Sequence, residues 1–391
     1  MSESIVIVGA ARTPMGGMLG DLSGVAAPEL GAAAISAALA RSGVKGEIIA
    51  EVIMGCVLPA GLGQAPARQA SRGAGLPDAV GATTINKMCG SGLKAVMLAH
   101  DMLQAGNGMA YVAGGMENMS SAPYLLPKAR AGFRMGHGQV IDHMFFDGLE
   151  DAYDKGRLMG AFAEECAGQY GFTREAQDAF AIESLNRASK AIMEGKFEAE
   201  ITPVTIKSRK GEQVIKIDEQ PGKANPSKIP ELKPAFHPQG TVTAANASSI
   251  SDGAAALMLM RESDAKGLKP LARILAHASA ARKPSEFTIA PVDAIRAVLD
   301  RAGWQADEVD LYEINEAFAV VTMAAMKELS LPHEKVNIHG GACALGHPIG
   351  ASGARILVTL LYALERYGKK KGVASLCIGG GEAVAIAVER I

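Results

Sequence analysis

The chain has 391 residues, 48% of them hydrophobic, with 39 basic and 41 acidic side chains. A folding unit usually holds roughly 100–200 residues, so two or three packed units are expected rather than one core. A formal charge of −2 excludes an electrostatic footprint for nucleic acid or an anionic membrane, and the apolar content excludes global disorder. Glycine is abundant (45) and aromatics are scarce (5%), which suits close backbone approach and tight helix packing. The cysteines, Cys56, Cys89, Cys166, Cys343 and Cys377, are odd in number. They form no CxxC pair and no Cys/His cluster with zinc-like spacing, so no metal centre is expected. Scattered free thiols suit a reducing cytoplasm, and the chain runs into its first strand without a leader pattern. No apolar run approaches the ~18–20 residues that span a bilayer.

Short β-branched runs alternate with Ala/Leu-rich stretches through the first 120 residues. Ile5–Val8 and Ile48–Cys56 read as strands, Leu30–Arg41 and Leu93–Gln104 as helices, and Met109–Ala113 as a strand ending at Gly114-Gly115. That order predicts an α/β layered unit with a largely parallel sheet. The stretch from 119 to about 249 changes character: prolines punctuate it, Val214–Ile217 alternates as an exposed strand would, and a helix runs from Arg174 to Glu194. Thr173 is its expected N-cap, with Gln177 in a capping arrangement. A loop-rich insertion of this length is expected to be functional. The α/β rhythm then returns with strands over 254–260, 272–278, 311–314, 372–377 and 383–389. Helices are expected over 291–302, 317–329 and 353–365.

The halves echo each other. Asn86-Lys87-Met88-Cys89-Gly90-Ser91-Gly92 leads into an apolar helix, and so does Asn337-Ile338-His339-Gly340-Gly341 through to Gly350-Ala351-Ser352-Gly353. Tyr111-Val112-Ala113-Gly114-Gly115 is mirrored by Leu376-Cys377-Ile378-Gly379-Gly380. A duplicated fold with its site at the junction is expected, with one half formed by 1–118 plus about 250–269, an inserted segment over 119–249, and the other half over 270–391.

Cys89 stands just before a helix, where free N–H groups and the dipole favour a thiolate and lower the thiol pKa. His347 sits between glycine turns in Gly346-His347-Pro348-Ile349-Gly350, where it can activate a nucleophile. Cys377 ends a strand before Gly379-Gly380-Gly381, whose amides can cradle a developing oxyanion. Asn315 follows a strand in Asn315-Glu316-Ala317-Phe318-Ala319 and can hold a water, with Glu316 as a helix-start acid. Each alone has a plainer reading: a buried small cysteine, a structural histidine, an ordinary helix beginning.

Together, and in this order, the four motifs resemble those of the thiolase superfamily. The resemblance spans the chain, from Ala10-Ala11-Arg12-Thr13-Pro14 through Gly114-Gly115-Met116-Glu117 and Asn246-Ala247-Ser248 to the C-terminal glycines. It implies two similar α/β halves in an α-β-α-β-α layering, and a reversible Claisen condensation of two acetyl-CoA to acetoacetyl-CoA and CoA. Cys89 would carry the acetyl group, His347 would activate it, a water on Asn315 would help bind the oxyanion, and Cys377 would move the α-proton. The amides of Cys89 and Gly379 would receive the tetrahedral oxygen.

Leu158, Met159, Phe236, Ala244, Ser248 and Ala317 would line the pantetheine channel, with Phe287, Phe318 and Met159 bounding the acyl pocket. CoA enters as substrate and product, no other cofactor is implied, and the family's tetramerisation region matches 126–144. The readings left beside it are a broader 3-ketoacyl-CoA thiolase of fatty-acid degradation and a non-catalytic acyl-CoA or lipid binder.

Several positions depart from the pattern. Leu158-Met159-Gly160 stands where many biosynthetic members have His-Met-Gly, Lys223 is the one candidate for a phosphate-region cation, Ser251 replaces an asparagine, and Cys343 replaces an aliphatic residue.

Overall fold

In the computed structural model, which describes residues 3–208 and 211–391, the major elements in chain order are β1 (Ile5–Arg12), α1 (Ala27–Ser42), β2 (Ile49–Gly55), α2 (Pro66–Gly73), β3 (Gly81–Ile85), α3 (Ser91–Gln104) and β4 (Ala110–Asn118). The middle contributes α4 (Met159–Tyr170), α5 (Arg174–Met193) and the hairpin β5 (Val204–Ser208) and β6 (Gly211–Ile215). The remainder forms β7 (Ser251–Arg261), β8 (Ala272–Ala281), α6 (Ala290–Ala302), β9 (Leu311–Ile314), α7 (Ala319–Leu329), α8 (Ser352–Arg366), β10 (Lys371–Ile378) and β11 (Glu382–Arg390).

A ten-stranded sheet runs in the order β9-β10-β11-β8-β1-β7-β4-β2-β3, with Gly16–Gly17 pairing off the path on β7. Its two parts repeat one plan. From the middle outward, β1-β7-β4-β2 and β8-β11-β10-β9 each run antiparallel, antiparallel, then parallel. The parts join where β1 and β8 pair briefly around Val6 and Arg273. The sheet is therefore mixed, not largely parallel as the alternation suggested. The reason is connectivity: β10 turns straight into β11 through Gly379–Gly381, and β7 returns from the middle segment without a crossover helix, so both arrive antiparallel. β7 belongs to the first part of the sheet although residues 119–250 separate it from β4.

Strands buried on both faces place alternate residues in different cores. On β1, Ile5 and Ile7 join a core with Leu93, Val96 and Met97 of α3 and Leu357, Leu360 and Leu364 of α8, whereas Val6 and Val8 pack with Leu30 and Ile35 of α1. On β11, Val384, Ile386 and Val388 face α3 and α8, and Ala383, Ala385 and Ala387 face α6. Helices α3 and α8 thus lie between the two sheet halves, giving the α-β-α-β-α layering. They touch at their first turns through a symmetric glycine pair. A Cβ on Gly92 would meet Ala354 N at 2.7 Å, and one on Gly353 would meet Leu93 N at 2.4 Å.

Strand β4 continues through Gly114-Gly115 to Asn118 rather than stopping there. These glycines are sites of close approach, not strand breakers. A Cβ on Gly115 would stand 2.0 Å from Gly350 O and 3.0 Å from Ala351 Cα, both backbone atoms of the loop that carries His347. Gly115→Ala is expected to destabilise the protein by about 1–3 kcal/mol through overpacking and to lower turnover by displacing that loop. Urea midpoints and steady-state rates check it; a variant unchanged in both would contradict the close approach.

In the middle segment, α5 begins as expected: Thr173 Oγ1 accepts Ala176 N. Gln177 instead donates to the Phe172 and Thr173 carbonyls and to Thr241 Oγ1. The expected strand over 214–217 lies earlier, as the outer arm of the β5–β6 hairpin. Helix α4 carries no clear sequence signal, because Gly160 and Gly168 interrupt its pattern.

Candidate active site

The turn between β3 and α3 is held by its own side chains. Asn86 Oδ1 accepts Met88 N at 2.9 Å, Ser91 Oγ accepts Lys87 N at 2.8 Å, and Ser91 Oγ donates to Met88 O at 2.6 Å. Met88 takes a φ of +48°, a left-handed conformation costly for a side chain of this size. The compensation is placement: Cys89 stands on the crest of the turn, ahead of the helix. Lys87 pairs with Glu382 at the start of β11, tying this turn to the other half. A Cβ on Gly90 would meet Ile378 Cδ1 at 2.4 Å, so the glycine lets the Cys89 and Cys377 turns close on each other.

The amides of Gly379 and of Cys89 itself point at the Cys89 sulfur and favour its thiolate, yet burial outweighs them and lifts the thiol to about 11. This corrects the expectation from helix-end position. Cys89 faces the cavity but lies deep in the protein, where losing water costs a thiolate more than two amides return. Cys377 at the end of β10 is buried and also pushed up, by desolvation first and by the nearby Cys89 sulfur second. Both shifts favour the protonated thiol.

His347 follows Gly346, whose φ is +99° and whose Cβ would strike Ser251 Oγ at 2.1 Å. Its Nδ1 meets Ser352 Oγ, and Ser352 Oγ donates its single proton to Pro348 O at 2.9 Å. The hydroxyl can only accept from His347, which places the ring proton on Nδ1 and leaves the Nε2 lone pair free. Nε2 has no protein partner. Burial, with Arg355 adding to it, lowers the ring to about 3, so it is neutral near pH 7. A neutral imidazole with an open lone pair is ready to take a thiol proton.

Asn315, at the end of β9, is buried with both Oδ1 and Nδ2 lacking a protein partner. Unlike the other expected residues it does not line the cavity. The cavity, about 360 Å³, is walled by Cys89, Cys377, His347 and Gly379 together with Leu158, Met159, Phe236, Ala244, Ser248, Ala317, Phe318 and Phe287. Rings stack edge to face along one wall, Phe236 on Phe318 at 6.0 Å, Phe318 near Phe287 at 6.5 Å and Phe287 on Phe162 at 6.1 Å. Gly160 accommodates Phe236, whose ring would lie 2.2 Å from a Cβ there. Such a volume and apolar lining suit an organic ligand.

Two expectations shift. Glu316 does not start α7, which begins at Ala319. Its carboxylate accepts Ser184 Oγ at 2.7 Å, Asn337 Nδ2 at 2.9 Å and the Cys343 amide at 3.0 Å, so it braces the turn beside His347. Lys223 is paired with Glu219, an occupied partner rather than a free phosphate ligand.

Glu117 and Ser352 were not singled out from the sequence. Buried Glu117, at the end of β4, accepts Gly350 N at 2.9 Å, Val57 N at 2.9 Å and Leu58 N at 3.1 Å, fixing the His347 loop against the first half. Burial lifts its carboxyl to about 7 against those donors. Only its place beside Gly114-Gly115 hinted at this.

Residues 5–263 match the family model described as Thiolase, N-terminal domain, and residues 268–390 match Thiolase, C-terminal domain. The chain is 54% identical over 391 residues to an acetyl-CoA acetyltransferase of Cupriavidus necator, covering 99% of each chain. It is 52% identical over 394 residues to one of Escherichia coli K12, covering 100% of each. Among solved structures, the Bacillus anthracis acetyl-CoA acetyltransferase superposes with a TM-score of 0.97 at 44% identity, over 100% of this chain and 99% of that one. With both domain models matched end to end and full-length relatives at half identity, this chain belongs to the thiolase family.

Proposed function

We propose that the chain is an acetyl-CoA C-acetyltransferase, joining two acetyl-CoA into acetoacetyl-CoA and CoA and running the reverse thiolysis. The observation that carries this is the meeting of two thiols, Cys89 and Cys377, with the unpartnered Nε2 of His347 on one apolar cavity. The protons then balance. His347 takes the Cys89 proton as the sulfur attacks the thioester carbonyl, and Cys377 gives its proton to the departing CoA thiolate. The Cys377 thiolate removes the α-proton of the second acetyl-CoA. The enolate carbon attacks acetyl-Cys89, whose oxygen is received by the amides of Cys89 and Gly379. The C–S bond breaks, and imidazolium returns the proton to Cys89. Asn315, with two unpartnered polar atoms, would hold a water that serves the other oxyanion. A thiol raised by burial suits Cys377: it is an acid first and a strong base once ionised.

No step calls for a metal or redox group, and CoA is substrate and product. The relatives' names, all acetyl-CoA acetyltransferases, support the acetyl reading. The segment 126–144 presents Leu126, Phe133, Met135 and Val140 to solvent, and we assign it to contacts in a homotetramer. Free cysteines suit a cytoplasmic enzyme, and among the described residues no helix is long and apolar enough to cross a membrane.

Thiolysis of 3-ketoacyl-CoA substrates from C4 to C16, with 2-methylacetoacetyl-CoA included, tests the substrate range. With Phe287 and Phe318 packed together beside Cys377, the rate is expected to fall sharply beyond C4. Comparable rates at C8 or longer would instead make this a broad-range degradative thiolase.

A further inference from the structure

One set of ligating side chains outside the cavity joins the two halves. His100 and Asp101 lie on α3, and His277 lies on β8, 176 positions beyond Asp101. Asp101 Oδ1 is 2.8 Å from His277 Nε2 and 3.0 Å from His100 Nδ1, and the ligand atoms of all three lie within 4.8 Å of one another. The imidazole rings meet edge to face at 4.9 Å. Both rings are mostly buried, whereas Asp101 is 54% exposed, so the cluster is held by the protein and open on one side.

We propose that His100, Asp101 and His277 form a binding site for a borderline divalent cation of the Zn²⁺, Co²⁺ and Ni²⁺ class, clipping α3 of one half to β8 of the other. Two imidazoles and one carboxylate select such ions over Ca²⁺ or Mg²⁺, which prefer all-oxygen shells. Nitrogen and oxygen atoms 2.8–3.0 Å apart are spaced as cis ligands of a six-coordinate ion with bonds of about 2.0–2.1 Å would be, and the exposed side leaves positions for water. Lys94, on the same helix, is the cation whose field reaches His277, and His277 Nδ1 has no protein partner to orient the ring. Both features make the site an exchangeable one rather than a permanently loaded structural centre. Sequence spacing hides it, because its third ligand comes from the other half of the duplication.

Chelator-treated protein titrated with Co²⁺ is the test, since a cobalt–thiolate site shows intense near-ultraviolet charge transfer and a nitrogen–oxygen site does not. One equivalent is expected to bind with weak visible bands alone, and Zn²⁺ is expected to raise the melting temperature by roughly 2–4 °C. His277→Ala is expected to abolish both effects while acetoacetyl-CoA thiolysis is unchanged. Should that variant fail to fold, Asp101→Asn at the exposed position must give the same loss. Absence of binding would overturn the site and leave a hydrogen-bonded latch. Binding that survives both variants, or that carries sulfur charge transfer lost in Cys89→Ser, would place the ion in the catalytic cavity and overturn it equally.

Discussion

Cys377→Ala is expected to yield a chain that still takes one acetyl group from acetyl-CoA onto Cys89 but condenses or cleaves nothing at a useful rate. In the proposed mechanism the side chain removed is the one that takes the α-proton, and positioned general acid–base groups contribute about 10²–10⁴-fold. Acylation is affected less, because a CoA thiolate leaves without prior protonation while an enolate cannot form without a base. Alanine at a site buried among Phe287, Phe318 and Cys166 removes one sulfur atom and leaves the fold intact. Intact mass after incubation with acetyl-CoA reads the first half-reaction, and acetoacetyl-CoA thiolysis reads the whole cycle. An acetyl adduct on Cys377 in a Cys89→Ala variant, together with none in Cys377→Ala, would exchange the two roles. Retained condensation from a malonyl donor would move the chain toward decarboxylating chemistry, in which the second cysteine has no part.

What the sequence made legible follows from the range of each interaction. Cys89 in its CGSG run, His347 in GHPIG and Cys377 before three glycines sit in short local turns, but each alone kept a plainer reading, and it was their order along the chain that carried the resemblance. Ile5–Val8 and 383–389 likewise read as strands, although the sheet's sense was not visible, because direction depends on what lies between strands. Long-range contacts were invisible. Beyond its place beside Gly114-Gly115, nothing near Glu117 announces that it holds the His347 loop 233 positions away. The thiol pKa values ran opposite to the helix-end argument for the same reason: a dipole is a local feature, whereas desolvation of Cys89 and Cys377 depends on everything folded around them. The glycines of β4 show a further case, since a residue that often ends a strand is here required inside one by a backbone from the opposite half.

Arg12→Met is expected to destabilise the protein by about 3–5 kcal/mol. Arg12 is fully buried and bridges the first half to the middle segment: Nε meets Glu200 Oε1 at 2.5 Å, and Nη1 and Nη2 meet the two Asp218 oxygens at 2.6 and 2.8 Å. Its guanidinium also lies 4.8 Å from the centre of the Phe197 ring. Methionine keeps most of the apolar stem, so the loss isolates the charge and leaves two buried carboxylates without their cation. Even with Arg12 present, burial holds Glu200 above its ordinary pKa. Without Arg12 it rises further, and the folded variant binds a proton that the unfolded chain releases. Stability contributed this way falls as pH climbs from the unfolded carboxyl value through the raised folded one. The deficit against the parent is therefore expected to be largest near neutral pH and to narrow as pH falls toward about 5, where the buried carboxyl can protonate. Urea unfolding of both proteins at the two ends of that window reads the effect. A deficit under about 1 kcal/mol, the range of exposed ion pairs, or one that does not change with pH, would mean that Glu200 and Asp218 find other partners and that this bridge does not hold the middle segment to the first half.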